Sequence, residues 1–512
     1  MDNIFEKNNK RRVIPNWRNF SDTVLSNELN FSNESENIPY DLNIDEYVIS
    51  YSNKKKIATA GDLLSAALVN NLINNDIVID AANFILKNKY DSTLLLVDLA
   101  KRVISYQYNI SNNDSINNIN DKDELKIIIR NLITRIKPKI SNHIYDPFNY
   151  AELSRLYTII GNKEKAIKNM EIALNLAPDN RFILRAATRL FTHYEKQNFI
   201  HDFLSKRDIV KHDPWIASAE ITLATILNKQ SKYIKNYNAL IINKNFHPFQ
   251  ITELSSSLAT FEYFNGSIKK TKKFLRTSLI SPNDNSLAQY QWLNNIEKLL
   301  DINPNYENVK NNYEALALAY FFNENYHDSI EMIYRWFLDL PFSIRPIKLG
   351  YFISSNMLED SNKTIGLLEL GIISHPKDSF IINNLAYQYA LLNRVNEAEE
   401  LIELKDIEYN NESWKYCIQA TKGLIQFRKG NDVLGRQLYK EVINETQHLT
   451  YKEYFWLASL NLAREEIMID SKNKEEIMNI VYQIPDKTPF YQVTRLKKEV
   501  IQRNRILEAE KY

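Results

Sequence analysis

The 512-residue chain holds one cysteine, nine glycines and no long apolar run. The lone thiol, Cys417, excludes an internal disulfide and fits a reducing compartment. So few glycines, with almost no alternating β-branched runs, argue against a sheet protein. No stretch approaches the roughly 18 apolar residues of a membrane helix. The opening MDNIFEKNNKRR lacks the apolar core of a signal peptide, so a soluble cytoplasmic protein is expected.

Recognisable reaction chemistry is missing as well. Neither phosphate-cradling glycine loop occurs, GxGxxG or GxxxxGK with Ser or Thr following. There is no GxSxG nucleophile elbow and no HExxH helix. The eight histidines include no metal-binding pair four residues apart. His201-Asp202 and His212-Asp213 are adjacent pairs, and turn placement before Pro214 accounts for the second. Cys417 lies in the helical run WKYCIQATKGLI, where packing is its expected role. The chain reads as a non-enzyme without catalytic residue, cofactor or metal.

What is present is a ruler of prolines. Pro178, Pro214, Pro248, Pro282, Pro341 and Pro376 are separated by 36, 34, 34, 59 and 35 residues. A period of that size indicates stacked small units, none able to bury its apolar face alone. The clearest unit is PFNYAELSRLYTIIGNKEKAIKNMEIALNLAPDN, from Pro147 to Asn180. Tyr150, Leu153 and Tyr157 share one helix face. Gly161-Asn162 breaks the run, and Ala166, Ile167, Met170, Ala173 and Leu174 form the face of a second helix that Pro178 ends. Ala166 and Ala173 lie seven apart, so a neighbouring helix can approach closely along their stripe.

This unit resembles the tetratricopeptide repeat. The family's preferences at positions 4, 7, 8, 11, 20, 24, 27 and 32 fall on Tyr150, Leu153, Ser154, Tyr157, Ala166, Met170, Ala173 and Pro178. The phase continues through Leu254, Leu258, Phe261 and Phe274, then through Tyr313, Leu316, Ala317 and Tyr320. Later it runs through Leu385, Ala386, Tyr389 and Ala398, and Gly423, Gly430, Gly435 and Tyr439. The copies at 181–214 and after 451 are degenerate. In the 59-residue gap, Ser286 to Leu300 reads as one extra helix, either a joint between two blocks or a decayed repeat.

The expected architecture is therefore all-α, an α-α superhelix with a distinct N-terminal segment. Residues 1–46 read as extended or disordered, with Trp17 and Phe20 as anchors, and 47–146 as a helical region. Residues 147–282 form a first block, 283–309 a joint, and 310–512 a second block with C-terminal helices. The polar run from Asn109 to Asp123 reads as a loop.

The resemblance implies a binding groove lined by positions 2, 5, 9, 12 and 13 of each first helix. Those positions carry Phe148, Ala151, Arg155, Thr158 and Ile159 in the clearest unit. Further on they carry Glu314, Leu318, Phe321 and Phe322, then Asn383 and Tyr387, then Leu424, Phe427 and Arg428. Such a lining suits a peptide, a helix or a protein loop. The competing role for each residue is packing against the next repeat. The Lys, Asn and Arg clamp of chaperone-tail receptors is missing, as is an N-terminal DNA-binding helix pair.

Charge is balanced overall, at +1, but locally uneven. A basic zone spans 229–276, and Lys269, Lys270, Lys272, Lys273 and Arg276 crowd one helix within it. Residues 397–412 are acidic, with Lys405 alone opposing, and the acids from Glu28 to Glu46 have no basic neighbour. These zones are either solvated faces or grips for partners of opposite sign. The leading reading is a protein-interaction scaffold, an adaptor subunit of a bacterial complex. The alternatives are an RNA- or DNA-binding array using 229–276, and an accessory or sensor subunit of a bacterial defence system. A plug role for the N-terminal segment in the groove is a further expectation.

Overall fold

The computed structural model describes residues 14–18, 44–69, 75–93, 96–97, 99–101, 103–104, 122–242, 246–302, 304, 306, 309–404, 406–409 and 412–509. Phe20, the acids Glu28 to Asp41 and most of the loop expected at 109–123 lie outside them. The chain divides into two compact units, residues 19–119, and residues 1–18 with 120–512.

The smaller unit contains α1 (Ile44–Asn53), α2 (Ile57–Val69) and α3 (Asp76–Lys87). Leu63, Leu64, Val78 and Ile85 are its fully buried centre. Tyr51 donates to Asp80 at 2.9 Å, and Lys55 reaches the same carboxylate at 2.7 Å. Those two hydrogen bonds, Lys55 foremost, hold Asp80 below the usual carboxylate range.

The larger unit begins with α4 (Lys122–Asn142), then α5 (Pro147–Ile159) and α6 (Lys163–Leu176), the clearest repeat. The next pairs are α7 (Arg181–His193) with α8 (Gln197–Leu204), α9 (Pro214–Ile226) with α10 (Ile234–Ile242), and α11 (Pro248–Phe264) with α12 (Ile268–Ser278). A single helix, α13 (Asp284–Glu297), follows. The second block holds α14 (Tyr313–Phe322) with α15 (Tyr326–Asp339), and α16 (Ile344–Phe352) with α17 (Ser361–Ser374). It continues with α18 (Ser379–Leu391) and α19 (Val395–Ile402), α20 (Trp414–Arg428) and α21 (Asp432–Thr446), and α22 (Glu453–Met468) and α23 (Lys474–Gln483). The terminal helix is α24 (Tyr491–Ala509). Among the described residues the only extended pairing is an isolated bridge between Asp378 and Glu408.

The copy at 181–214 is a complete helix pair. Its extra length is a 3-10 turn, Asp208–Lys211, inserted before the next repeat. The joint is half a repeat: α13 packs between α11 and α14 as a first helix would, but no second helix follows it among the described residues. The unit boundary falls before residue 120 rather than at 146, because α4 packs on α5 and α17.

A second ruler runs through the turns. Gly161, Glu195, Asn228, Gly266, Glu324, Glu359, Asn393, Gly430 and Asp470 all have positive φ. Each sits between the two helices of a pair, and each ends the first helix in a left-handed step. Their spacing repeats the proline period, including the long gap between Gly266 and Glu324. Glycine fills this position only three times, which is why a glycine-poor chain builds so many tight turns.

Packing inside the repeats follows the small residues. Ser154 donates to the Ala166 carbonyl at 2.7 Å, and Ser329 donates to the Ala317 carbonyl at 2.8 Å. The same pair of positions is bridged in opposite directions in the two copies. In the repeat of α20 and α21, a methyl at Gly435 would lie 2.6 Å from Phe427 Cδ2 and 2.9 Å from the Gly423 carbonyl. Helices α20 and α21 therefore touch through backbone. Across repeats, α9, α11 and α13 meet through hydroxyls: Ser218 and Ser257 Oγ lie 2.8 Å apart, and Thr222 donates to Ser257 at 3.0 Å.

The superhelix closes on itself. A methyl on Gly161 would meet Pro376 Cδ at 2.9 Å. The rings of His193 and His375 lie 5.1 Å apart, and Lys122 pairs with Glu369 at 3.6 Å. Early repeats thus pack against α17 and the loops around it.

Candidate functional site: the inner face and its strap

Several residues expected in the groove are engaged within their own helix or repeat, or with the next one. Phe148 stacks 5.9 Å from Phe182, and Arg155 pairs with Glu152 at 2.6 Å. Thr158 bonds the Ser154 carbonyl at 2.8 Å, and Ile159 is buried. Glu314 pairs with Arg345. Phe321 packs 5.3 Å from Phe322, 6.0 Å from Tyr326 and 6.0 Å from Phe352.

In the second block the residues converge on one polar seam. Asn383 accepts from Thr421 at 2.9 Å. Tyr387 donates to Asn461 at 2.9 Å and accepts from Arg464 at 2.9 Å. Arg428 reaches Glu465 at 3.1 Å, and Phe427 packs 6.2 Å from Tyr439. The structure brings these four residues together, well separated in sequence from the Phe148 to Ile159 set.

Beyond Phe148, two groups are not among the residues expected from sequence. Counting the groove positions from Arg181 gives Arg185, Arg189 and His193 on α7, a copy dismissed as degenerate. The other group is aromatic: Phe148, Phe182, Trp215, Phe249, Phe380 and Trp414 sit at or beside the second position of their helices. Trp215 stacks on Phe249 at 5.6 Å and Phe380 on Trp414 at 5.7 Å. An aromatic following Pro147, Pro214 and Pro248 at the repeat period was the available signal.

The inner face of α7 is strongly cationic and only partly compensated. Arg185 makes a bidentate pair with Glu253, at 2.6 and 3.0 Å, and lies over Trp215. Among the described residues Arg189 makes no ion pair, although the Glu314 carboxylate lies near enough to favour its charge. Arg189 lies over the Phe342 ring at 5.5 Å, with Ser343 Oγ at 3.5 Å and its own Nε unbonded. Burial, then repulsion from Arg345, lowers its pKa to about 10, so it remains charged at neutral pH.

Phe342, in the loop after α15, is the centre of this region. His193 packs against its ring at 5.8 Å, and His375 Nε2 lies 2.9 Å from its carbonyl. Burial drives the His375 pKa down, so the ring is neutral and donates that hydrogen bond.

A fourth contact on Phe342 comes from the far N-terminal end of the chain. Ile14 to Arg18 forms a strap without helical structure, seated on the larger unit. Ile14 and Trp17 are each 1% exposed, and the Trp17 ring lies 5.8 Å from Phe342. Asn16 donates to Asp284 at 2.6 Å. Arg18 donates to both oxygens of Asp339, at 2.6 and 2.7 Å, and to Asp284 at 2.5 Å. Burial opposes the Arg18 charge, but the two carboxylates outweigh it and raise its pKa. The strap therefore joins the start of α13 to the end of α15.

No protein-family model matches the chain, and no curated protein matches its sequence. Among solved structures, a human IFIT1 dimer with PPP-AAAA is 16% identical, over 74% of this chain and 94% of that one, with a TM-score of 0.32. Yeast Tom70 is 14% identical, over 76% of this chain and 95% of that one, with a TM-score of 0.27. This chain's own helix pairs and turn ruler define its fold. It is a tetratricopeptide-like solenoid.

The two charged zones lie on second helices of their pairs, the basic one on α12 and the acidic one on α19 and the residues after it. On α12, Thr271, Phe274, Leu275 and Ser278 face inward, leaving Lys269, Lys270, Lys273 and Arg276 exposed and Lys272 half-buried. Only Lys270 has an ion-pair partner among the described residues, Glu262 at 3.1 Å. The acidic zone is largely matched: Glu399 meets Lys429 at 2.5 Å, Glu397 meets Arg394 at 2.6 Å, and Asp406 meets Lys377 at 3.3 Å. Burial pushes the Cys417 thiol up to about 12, so it is no thiolate nucleophile at neutral pH. Among the described residues no helix is long and apolar enough to cross a membrane.

Proposed function

We propose that this solenoid is a non-catalytic protein-interaction scaffold, an adaptor of a bacterial cytoplasmic complex that binds an extended protein segment on its inner face. The observation that carries the reading is the strap. Five non-helical residues are held there by two buried apolar side chains and by hydrogen bonds to two carboxylates. That is how a groove recognises a peptide: apolar pockets for some side chains and fixed charges for others.

The basic face of α12 favours a second reading, nucleic-acid binding. Lys269 and Lys270 stand in the first turn of the helix, where its dipole disfavours cations by about 0.3–1 kcal/mol each. A cationic face retained at that cost, with only Lys270 ion-paired among the described residues, supports a polyanion partner. Its affinity would fall steeply with salt.

Affinity purification from the native host, with and without nuclease, separates the two. A protein recovered at fixed stoichiometry after nuclease treatment supports the scaffold. Loss of every partner on nuclease treatment, with nucleic acid recovered, replaces it with the second reading.

A further inference from the structure

The strap's seat has a chemistry more specific than a general peptide groove. Apolar walls take Ile14 and Trp17, with Phe342 against the indole. Two acids on different helices, Asp284 and Asp339, converge on a single guanidinium. Of these, Asp339 is pushed above the usual carboxylate range by burial, against the pull of Arg18. Two carboxylates this close repel each other unless a cation lies between them. The seat therefore demands a basic residue immediately after an aromatic one.

The strap is also an imperfect occupant. Trp17 Nε1 is buried and finds no hydrogen-bond partner. A buried unpaired donor weakens the complex that contains it, so a ligand that satisfies the seat better can displace the strap. The strap belongs to the same chain as its seat, so it is a tethered occupant.

We infer that the seat is a docking site for an extended partner segment of the form aliphatic-Pro-x-Trp-Arg, and that Ile14–Arg18 occupies it as an internal competitor. This rests on the peptide-binding reading of the inner face. A tethered competitor raises the apparent Kd of any free segment, so partner segments must outcompete it or bind after it leaves.

The probe is a labelled synthetic peptide with the sequence of residues 12–20, titrated into the full-length protein. The unaltered chain should bind it weakly, because the strap competes for the seat. The double variant Trp17→Ala, Arg18→Glu, whose strap is released, should bind it at least tenfold more tightly. Adding Asp339→Asn to that variant, or placing Glu at the peptide's second arginine, should abolish binding. A folded, strap-released variant that fails to bind the peptide would overturn the inference.

If the variants do not fold, hydrogen exchange on the unaltered chain decides. Excess peptide should accelerate exchange of the strap amides, and unchanged exchange at saturating peptide would count against displacement. A host protein that binds wild type and strap-released variant equally, uncompeted by the peptide, would end this inference while leaving the scaffold reading standing.

Discussion

Glu324 holds a φ of 60° at the turn between α14 and α15, a conformation that crowds the Cβ of any L-residue. Glycine meets no such crowding, so Glu324→Gly should stabilise the protein by roughly 0.5–1 kcal/mol despite a more flexible unfolded chain. The converse site is Gly266, where φ is 77° and nothing lies within 4 Å of an added methyl. Gly266→Ala should cost about 1 kcal/mol through backbone strain alone. Thermal melting of both variants checks the turn ruler; shifts of the same sign would contradict it. His375 supplies a titration at the same scale. Its folded pKa is depressed below that of the unfolded chain, by burial first, with Asp378 and Glu408 opposing and Lys348 assisting. The stability it contributes is present above about pH 6.5 and is lost as pH falls through the folded value. His375→Gln should flatten that part of the stability profile. Single residues were also where the sequence was least legible. Arg189 and Phe342 have no motif, because what distinguishes them is each other.

Helix pairs explain more of the chain than any residue does, and they were largely readable. Apolar spacing marked α5, α6, α14 and α20, since burying one face is what makes such helices form. The half repeat at α13 was readable only as a helix, because its role depends on what packs on either side. Close packing within pairs is the testable content. Ala166 is fully buried against its partner helix, so Ala166→Leu should overpack and cost about 1–3 kcal/mol. Gly435→Ala should cost about as much, since its methyl would meet backbone as well as Phe427. Chemical denaturation measures both, and an unchanged midpoint for either would mean those helices do not touch as described. On α12, replacing Lys269, Lys272 and Lys273 by Glu leaves the packed face untouched. That triple variant should retain its melting temperature; a large loss would show that the basic face is structural.

The whole molecule is governed by contacts that periodicity does not encode. Gly161 beside Pro376 and Trp17 beside Phe342 are separated by hundreds of residues, and closure depends on the small rotation accumulated over each repeat. A sequence reading could expect a groove, and could count Arg155 and Tyr387 into it. Packing against the next repeat and a plug role for the N-terminal segment were both open from sequence, but the seating of Trp17 on Phe342 and of Arg18 on Asp284 and Asp339 was not, because those residues meet only in the fold. Trp17 was legible as an anchor, since an isolated Trp in a polar segment has little reason to be there unless it is buried. The central claim is that partners are gripped from inside, near Arg189, rather than along the basic α12 face. Among the described residues Arg189 has no ion-paired carboxylate to orphan, so Arg189→Ala tests this with little structural cost. The decisive measurement is quantitative co-purification of host partners by wild type, Arg189→Ala and the α12 triple variant, at matched melting temperature. The account predicts that Arg189→Ala depletes a nuclease-resistant protein partner while the triple variant retains it. Retention by Arg189→Ala, with loss in the triple variant, would contradict it.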